Sequence, residues 1–132
     1  MAKILVVEDN EQLGEMLVER LGRRGHVVLL VSEKDAALSS AKASSPDVIL
    51  LDAQLRGGDV WAIAHALKGD DHTREIPILA LMAENSEEAQ GLARQAGAHD
   101  LHVKPIDFVR LLQQINAAAP AADAAVSDGS AP

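Results

Sequence analysis

Five short apolar runs punctuate the chain: "KILVV" at 3–7, "HVVLLV" at 26–31, "DVILL" at 47–51, "PILALM" at 77–82 and "DLHV" at 100–103. Each has the length of a strand, and none carries a 3.6-residue period. Longer segments with helical spacing lie between and after them. Asn10 is placed to cap "EQLGEMLVERLGRR", in which Leu13, Leu17 and Leu21 recur every fourth residue and Gly25 supplies a stop. "EKDAALSSAKA" and "DVWAIAHALKG" follow the second and third runs. Ser86 opens "SEEAQGLARQAG", which closes at Gly97, and "DFVRLLQQINAA" presents Phe108, Leu111, Leu112 and Ile115 on one face. Five strands, each followed by a helix, predict an α/β fold: a doubly wound, five-stranded parallel sheet with helices on both faces. Unbroken apolar runs suit strands 1, 3 and 4, buried on both sides, whereas "DLHV" alternates as an edge strand often does.

From Ala117 onward the composition changes to "AAAPAADAAVSDGSAP". Small residues and two prolines bury too little area to offset the entropy of ordering. The expected organisation is one folded domain over 1–118 and a disordered Ala/Pro-rich tail over 119–132. A chain of 132 residues, 48% of them hydrophobic, is long enough for one core. The net charge of −8 argues against nucleic acid as a partner, because phosphate binding needs clustered Lys and Arg. The absence of Cys excludes a disulfide framework, a thiolate zinc site and a cysteine nucleophile. "MAKILVV" is too short for a signal peptide and no run reaches membrane-spanning length, so the expectation is a soluble, cytoplasmic protein without a membrane partner.

The chemistry gathers at the strand ends. In an open parallel sheet, ligands bind beyond the carboxyl ends of the strands, where the strand order reverses. With the order 2-1-3-4-5, that crevice lies between strands 1 and 3. Strand 1 runs into Glu8-Asp9 and strand 3 ends at Asp52. Three carboxylates converging there repel one another, and at least one pKa rises unless a cation compensates. Mg²⁺, a hard dication that seeks carboxylate and carbonyl oxygen, meets that need. Lys104 closes strand 5 just before Pro105, and its long ammonium stem can reach across strand 4 to the same oxygens.

Glu8-Asp9, Asp52 and Lys104-Pro105, at these strand ends, resemble the receiver domain of two-component response regulators over about residues 2–118. The resemblance implies a flavodoxin-like fold and phosphoryl transfer from a phosphohistidine, on a sensor histidine kinase or histidine phosphotransfer protein, onto Asp52. Glu8, Asp9, Asp52 and the backbone carbonyl of Gln54 are then expected to hold Mg²⁺, with Lys104 pairing a phosphoryl oxygen. It also implies a cis bond before Pro105 and a kinase-docking surface made of Leu13, Leu17 and their neighbours on the first helix, with Gln54–Arg56. The fourth helix, fifth strand and fifth helix make the implied output face. Such a chain is not an enzyme beyond self-catalysed phosphotransfer and autodephosphorylation. With no output segment in the sequence, its effect passes to a downstream protein by contact, or it serves as a relay or phosphate sink.

Three positions depart from that family's pattern. Met82 stands where Ser or Thr usually binds the phosphoryl group, and a thioether cannot donate a hydrogen bond. Hydrogen bonds to charged groups contribute about 1.5–3 kcal/mol, so the lost donor weakens coupling of phosphorylation to conformation by roughly ten- to over a hundredfold. Leu101 replaces the usual switching Tyr or Phe. Arg56, followed by Gly57-Gly58, stands where Pro is common. An alternative is therefore a receiver-shaped binding module that never uses phosphate: Met82 and Leu101 favour it, while Glu8, Asp9, Asp52 and Lys104 oppose it. A phosphohydrolase of the haloacid-dehalogenase pattern fails because Gln54 occupies the place of its second Asp. Dinucleotide binding fails because "VEDNEQLG" lacks a glycine-rich turn. His26, His65, His72, His99 and His102 have no metal-ligand spacing and are expected on the surface or at sheet edges.

Overall fold

The computed structural model describes residues 1–56 and 59–120. Elements alternate without exception: β1 (Lys3–Val7), α1 (Glu11–Arg23), β2 (Val27–Val31), α2 (Lys34–Ser44), β3 (Val48–Asp52), α3 (Val60–Lys68), β4 (Ile78–Met82), α4 (Glu87–Gln95), β5 (Asp100–Val103) and α5 (Phe108–Ala118). The five strands are parallel and ordered β2-β1-β3-β4-β5. The order reverses between β1 and β3, so Glu8-Asp9 and Asp52 leave the sheet side by side. The register aligns Val7 with Leu51 and Asp52 with Leu81.

The apolar runs divide their residues between two cores, because successive side chains of a strand point to opposite faces. Ile4, Val6 and Leu50 pack with Leu17, Leu21, Leu111 and Ile115 beneath α1 and α5. Leu5, Val7, Ile49 and Leu51 pack with Ala41, Ala64 and Leu67 beneath α2 and α3. Each such Leu or Ile contributes about 1.5–3 kcal/mol relative to exposure. Leu17 is fully buried and so does not belong to an exposed docking surface as the resemblance implied, while Leu13 is half-buried against the same core. The helical period that makes them a stripe turns them inward.

The helix starts follow local chemistry. Asn10 accepts a hydrogen bond from the Leu13 amide at 3.0 Å, and Ser86 accepts one from the Ala89 amide at 3.1 Å. Asp59 and Asp107 cap α3 and α5 in the same way. After α4, Gly97 has φ +98°, and a Cβ there would come within 2.8 Å of the Lys68 side chain. Both backbone and space therefore require glycine.

The two edges of the sheet differ. β2 exposes Val27, Leu29 and Leu30, an apolar sequence on a partly uncovered strand. β5 buries His102, and His26, just before β2, is also buried. His65, His72 and His99 are exposed and His26 and His102 lie at the sheet edges, as expected, but these two are buried. His26 Nδ1 accepts from the Ala2 amide at 3.0 Å, and His102 is held by α5. Among the described residues no helix is long and apolar enough to cross a membrane. The expected tail, from residue 121 on, and Gly57-Gly58 lie outside the described residues.

Candidate functional site

β3 delivers Asp52 to the carboxyl end of the sheet, where it is almost fully buried. Its Oδ2 accepts from Lys104 Nζ at 2.8 Å and its Oδ1 from the Gln54 amide at 2.8 Å. Lys104 also reaches Gln54 Oε1 at 3.3 Å. The ammonium is aimed by its own backbone: Lys104 N donates to the Met82 carbonyl at 2.7 Å, and a cis peptide bond joins Lys104 to Pro105, as the resemblance implied. The stem crosses the end of β4 to bring a cation to the aspartate.

Glu8 is the second buried carboxyl. Its amide donates to the Val31 carbonyl, and its Oε2 accepts from the Asn10 amide at 3.1 Å. Taken as a carboxylate, Glu8 leaves Oε1 buried with no partner. Burial, with the neighbouring Asp52 adding to it, pushes the Glu8 carboxyl up to about 8. Burial also pushes Asp52 upward, but hydrogen bonds from Glu8, Lys104 and the Gln54 amide outweigh it and hold that carboxyl below its ordinary value. The two therefore differentiate. Asp52 is favoured as the carboxylate, and burial beside it favours a proton on Glu8. Replacing that proton by a hard cation gives the orphaned Oε1 a partner, so the donor set fits a divalent ion.

Asp9 does not complete a trio. Its Oδ2 accepts from the Arg56 amide at 2.8 Å, and among the described residues no three acidic or histidine side chains stand close enough together to hold a metal ion. Two carboxylates meet where the sequence reading expected three. The cause is the path of the loop after β3. Leu55 donates from its amide to the Asp52 carbonyl and buries its side chain in the core, which brings the next amide to Asp9. The Gln54 amide faces the site through its bond to Asp52.

On the other flank, Met82 and Leu101 are buried together with Ala80 and Ala93. Met82 borders a cavity of about 400 Å³ shared with Trp61, Ala53, Gln54 and Glu84. The Ser86 hydroxyl on its rim is engaged in capping α4. Across β5, the opposite face carries a closed polar ring that sequence reasoning missed. Arg110 donates to Asp100 at 2.8 Å, to the Leu101 carbonyl at 2.9 Å and to His102 Nδ1 at 3.1 Å. His102 Nε2 then meets Gln114 Oε1 at 2.5 Å, and Gln114 donates to Asp100. Since Nδ1 faces a donor, it accepts, and the ring is neutral with its proton on Nε2. The signal was present: Asp100 and His102 share a strand face, and Arg110 and Gln114 are four apart on a helix.

The chain matches the response regulator receiver domain family over residues 4–116. It is 31% identical over 117 residues to the protein PilH of Pseudomonas aeruginosa, spanning 89% of this chain and 97% of that one. It is 35% identical over 116 residues to the response regulator PleD of Caulobacter vibrioides, spanning 86% of this chain but only 25% of PleD. Among solved structures, the receiver domain of the sensor histidine kinase PA1611 from Pseudomonas aeruginosa, with a magnesium ion coordinated in its active site cleft, superimposes with a TM-score of 0.76 at 30% identity, covering 86% of this chain and 93% of that one. Strand order, strand-end carboxyls, Lys104 and these likenesses agree: the chain belongs to the receiver domains of two-component response regulators.

Proposed function

We propose that this receiver domain accepts a phosphoryl group from a phosphohistidine onto Asp52, with Lys104, Glu8 and Asp9 assisting and Met82 and Leu101 at the positions that read the result. The observation that carries this reading is an ionised Asp52 held at 2.8 Å by Lys104 beside a buried Glu8 whose Oε1 has no partner as a carboxylate. A carboxylate approaches an anionic phosphoryl group only where the charge between them is neutralised. Lys104 supplies one positive charge, and the Gln54 amide holds Asp52 Oδ1 so that the carboxylate presents a fixed edge. As the P–O bond to Asp52 forms, the P–N bond breaks and its electron pair leaves with the histidine nitrogen. Mg²⁺, when bound by Glu8, Asp52, Asp9 and the Gln54 carbonyl, supplies the remaining positive charge. The magnesium in the cleft of the PA1611 receiver domain supports that assignment. The phosphodonor is a sensor histidine kinase or a histidine phosphotransfer protein, and the output is a protein contact or the drain of phosphate from a relay.

Incubation with Mg²⁺ and acetyl phosphate tests the reading. Intact mass rises by one phosphoryl unit in the wild type and does not rise in Asp52→Asn. No increment from acetyl phosphate or from a phosphorylated kinase overturns the acceptor assignment. The apolar packing of Met82 and Leu101 favours a second reading, a protein-binding module that does not use phosphate. An Asp52→Asn strain with an unaltered phenotype supports that version.

A further inference from the structure

Asp9 follows Glu8 at the tip of β1, yet its carboxylate is engaged elsewhere. Its Oδ2 accepts the backbone N–H of Arg56, forty-seven residues away in sequence. Arg56 sits in the loop between β3 and α3, immediately after Leu55, whose buried side chain anchors that segment. The donor is main chain, so the contact is independent of the arginine side chain. It is a charge-assisted bond, because the acceptor is a carboxylate. The loop amide fixes the orientation of this carboxylate and occupies one of its acceptor sites, and the described residues contain no ready three-ligand cluster.

We propose that Asp9 is a two-position ligand: the Arg56 N–H holds it on the β3–α3 loop, and a divalent cation seated between Glu8 and Asp52 draws it off. The inference rests on the metal-dependent reading above. Its consequence is reciprocal coupling. If releasing Asp9 from the loop accompanies cation binding, the latch weakens cation affinity, and the cation loosens the loop by the same factor. A partner that grips the loop then changes the metal affinity of a site it does not touch.

The test separates side chain from main chain. Calorimetric titration of Mg²⁺ into the wild type, Arg56→Ala and Arg56→Pro compares two chains that retain the N–H with one that lacks it. Arg56→Ala is expected within about twofold of wild type, and Arg56→Pro to bind Mg²⁺ about three- to tenfold more tightly, the range for one net hydrogen bond. In the wild type, the Arg56 amide is expected to exchange with solvent faster when Mg²⁺ is saturating than when it is absent, a readout that needs no variant and stands if Arg56→Pro does not fold. An Arg56→Pro chain equal to or weaker than Arg56→Ala overturns the latch, as does an Arg56 amide whose exchange ignores Mg²⁺. A wild type that binds Mg²⁺ while failing these tests loses only the coupling; one that binds no Mg²⁺ loses the metal-dependent reading as well.

Discussion

The pocket around Asp52 and the flank around Met82 occupy the same end of the sheet, yet they are built from opposite materials. In the pocket, Glu8, Asp52, Lys104 and the Gln54 amide answer one another's charges and hydrogen bonds. In the flank, Met82 and Leu101 pack in one apolar cluster, and Met82 borders an open cavity. A charged site loses function when one partner goes, because the remaining charge is buried and uncompensated. An apolar flank tolerates exchange, since packing depends on volume more than on direction. In the proposed reading, acceptance of a phosphoryl group and its structural consequence therefore rest on separate residues, and the second set lacks a hydrogen-bond donor.

The largest effect is expected from Lys104→Met, which strips the ammonium from Asp52 at 2.8 Å. The initial rate of labelling by acetyl phosphate should fall by about 10²–10³, the usual loss for one electrostatic stabiliser. A change below tenfold breaks the contrast, because the pocket would then be as tolerant as the flank. Met82→Thr attacks the other side. It restores a hydroxyl at the cost of about 1–3 kcal/mol in packing, measured by urea unfolding. In exchange, phosphorylation-dependent amide shifts at Ala83 and Glu84 should grow relative to the wild type. Shifts that stay the same would show that the missing donor is not what separates the two regions.

A smaller effect is predicted on the far face of β5. Burial, opposed by the Gln114 hydrogen bond and reinforced by Arg110, lowers the His102 pKa; Asp100 and Asp107 pull the other way without reversing it. Burial likewise lowers His26, with the N-terminal amine adding to the effect. A base whose folded pKa is depressed stabilises the fold fully above its unfolded value of about 6.5 and loses that contribution as pH falls below it. Denaturation midpoints should hold near pH 7 and fall towards pH 5, at no more than about 1.4 kcal/mol per pH unit for each proton taken up. His102→Leu should flatten that slope, and an unchanged slope assigns it elsewhere. The smallest effect belongs to Leu101→Tyr: Leu101 is the most accessible member of its small buried cluster, so the larger ring should cost about 1 kcal/mol, the low end of ordinary overpacking. Differential unfolding of the two chains decides it.

Much of this architecture was legible from local chemistry. Apolar runs without helical period became β1, β3 and β4, and Asn10, Ser86, Gly25 and Gly97 bound their helices as read. Asp52 and Lys104 were legible because strand-end positions in a parallel sheet have a fixed address. What escaped depends on paths and rotations that sequence spacing does not carry. The capture of Asp9 by Arg56 follows from the route of a loop. The Asp100–His102–Arg110–Gln114 ring follows from how α5 is rotated over β5. Leu17 reads as a candidate contact residue along the helix and turns out to be core, because a stripe of leucines says that a face is apolar and not which side of the molecule it meets.

Trp61 stands in the wall of the cavity beside Met82, and the chain has one tryptophan and no tyrosine. Ultraviolet emission from this protein thus arises from a single half-covered indole, stationed between the third helix and the segment leading into the fourth. Any rearrangement there changes the colour or brightness of that lamp, so the molecule reports on its own quiet side without an added dye.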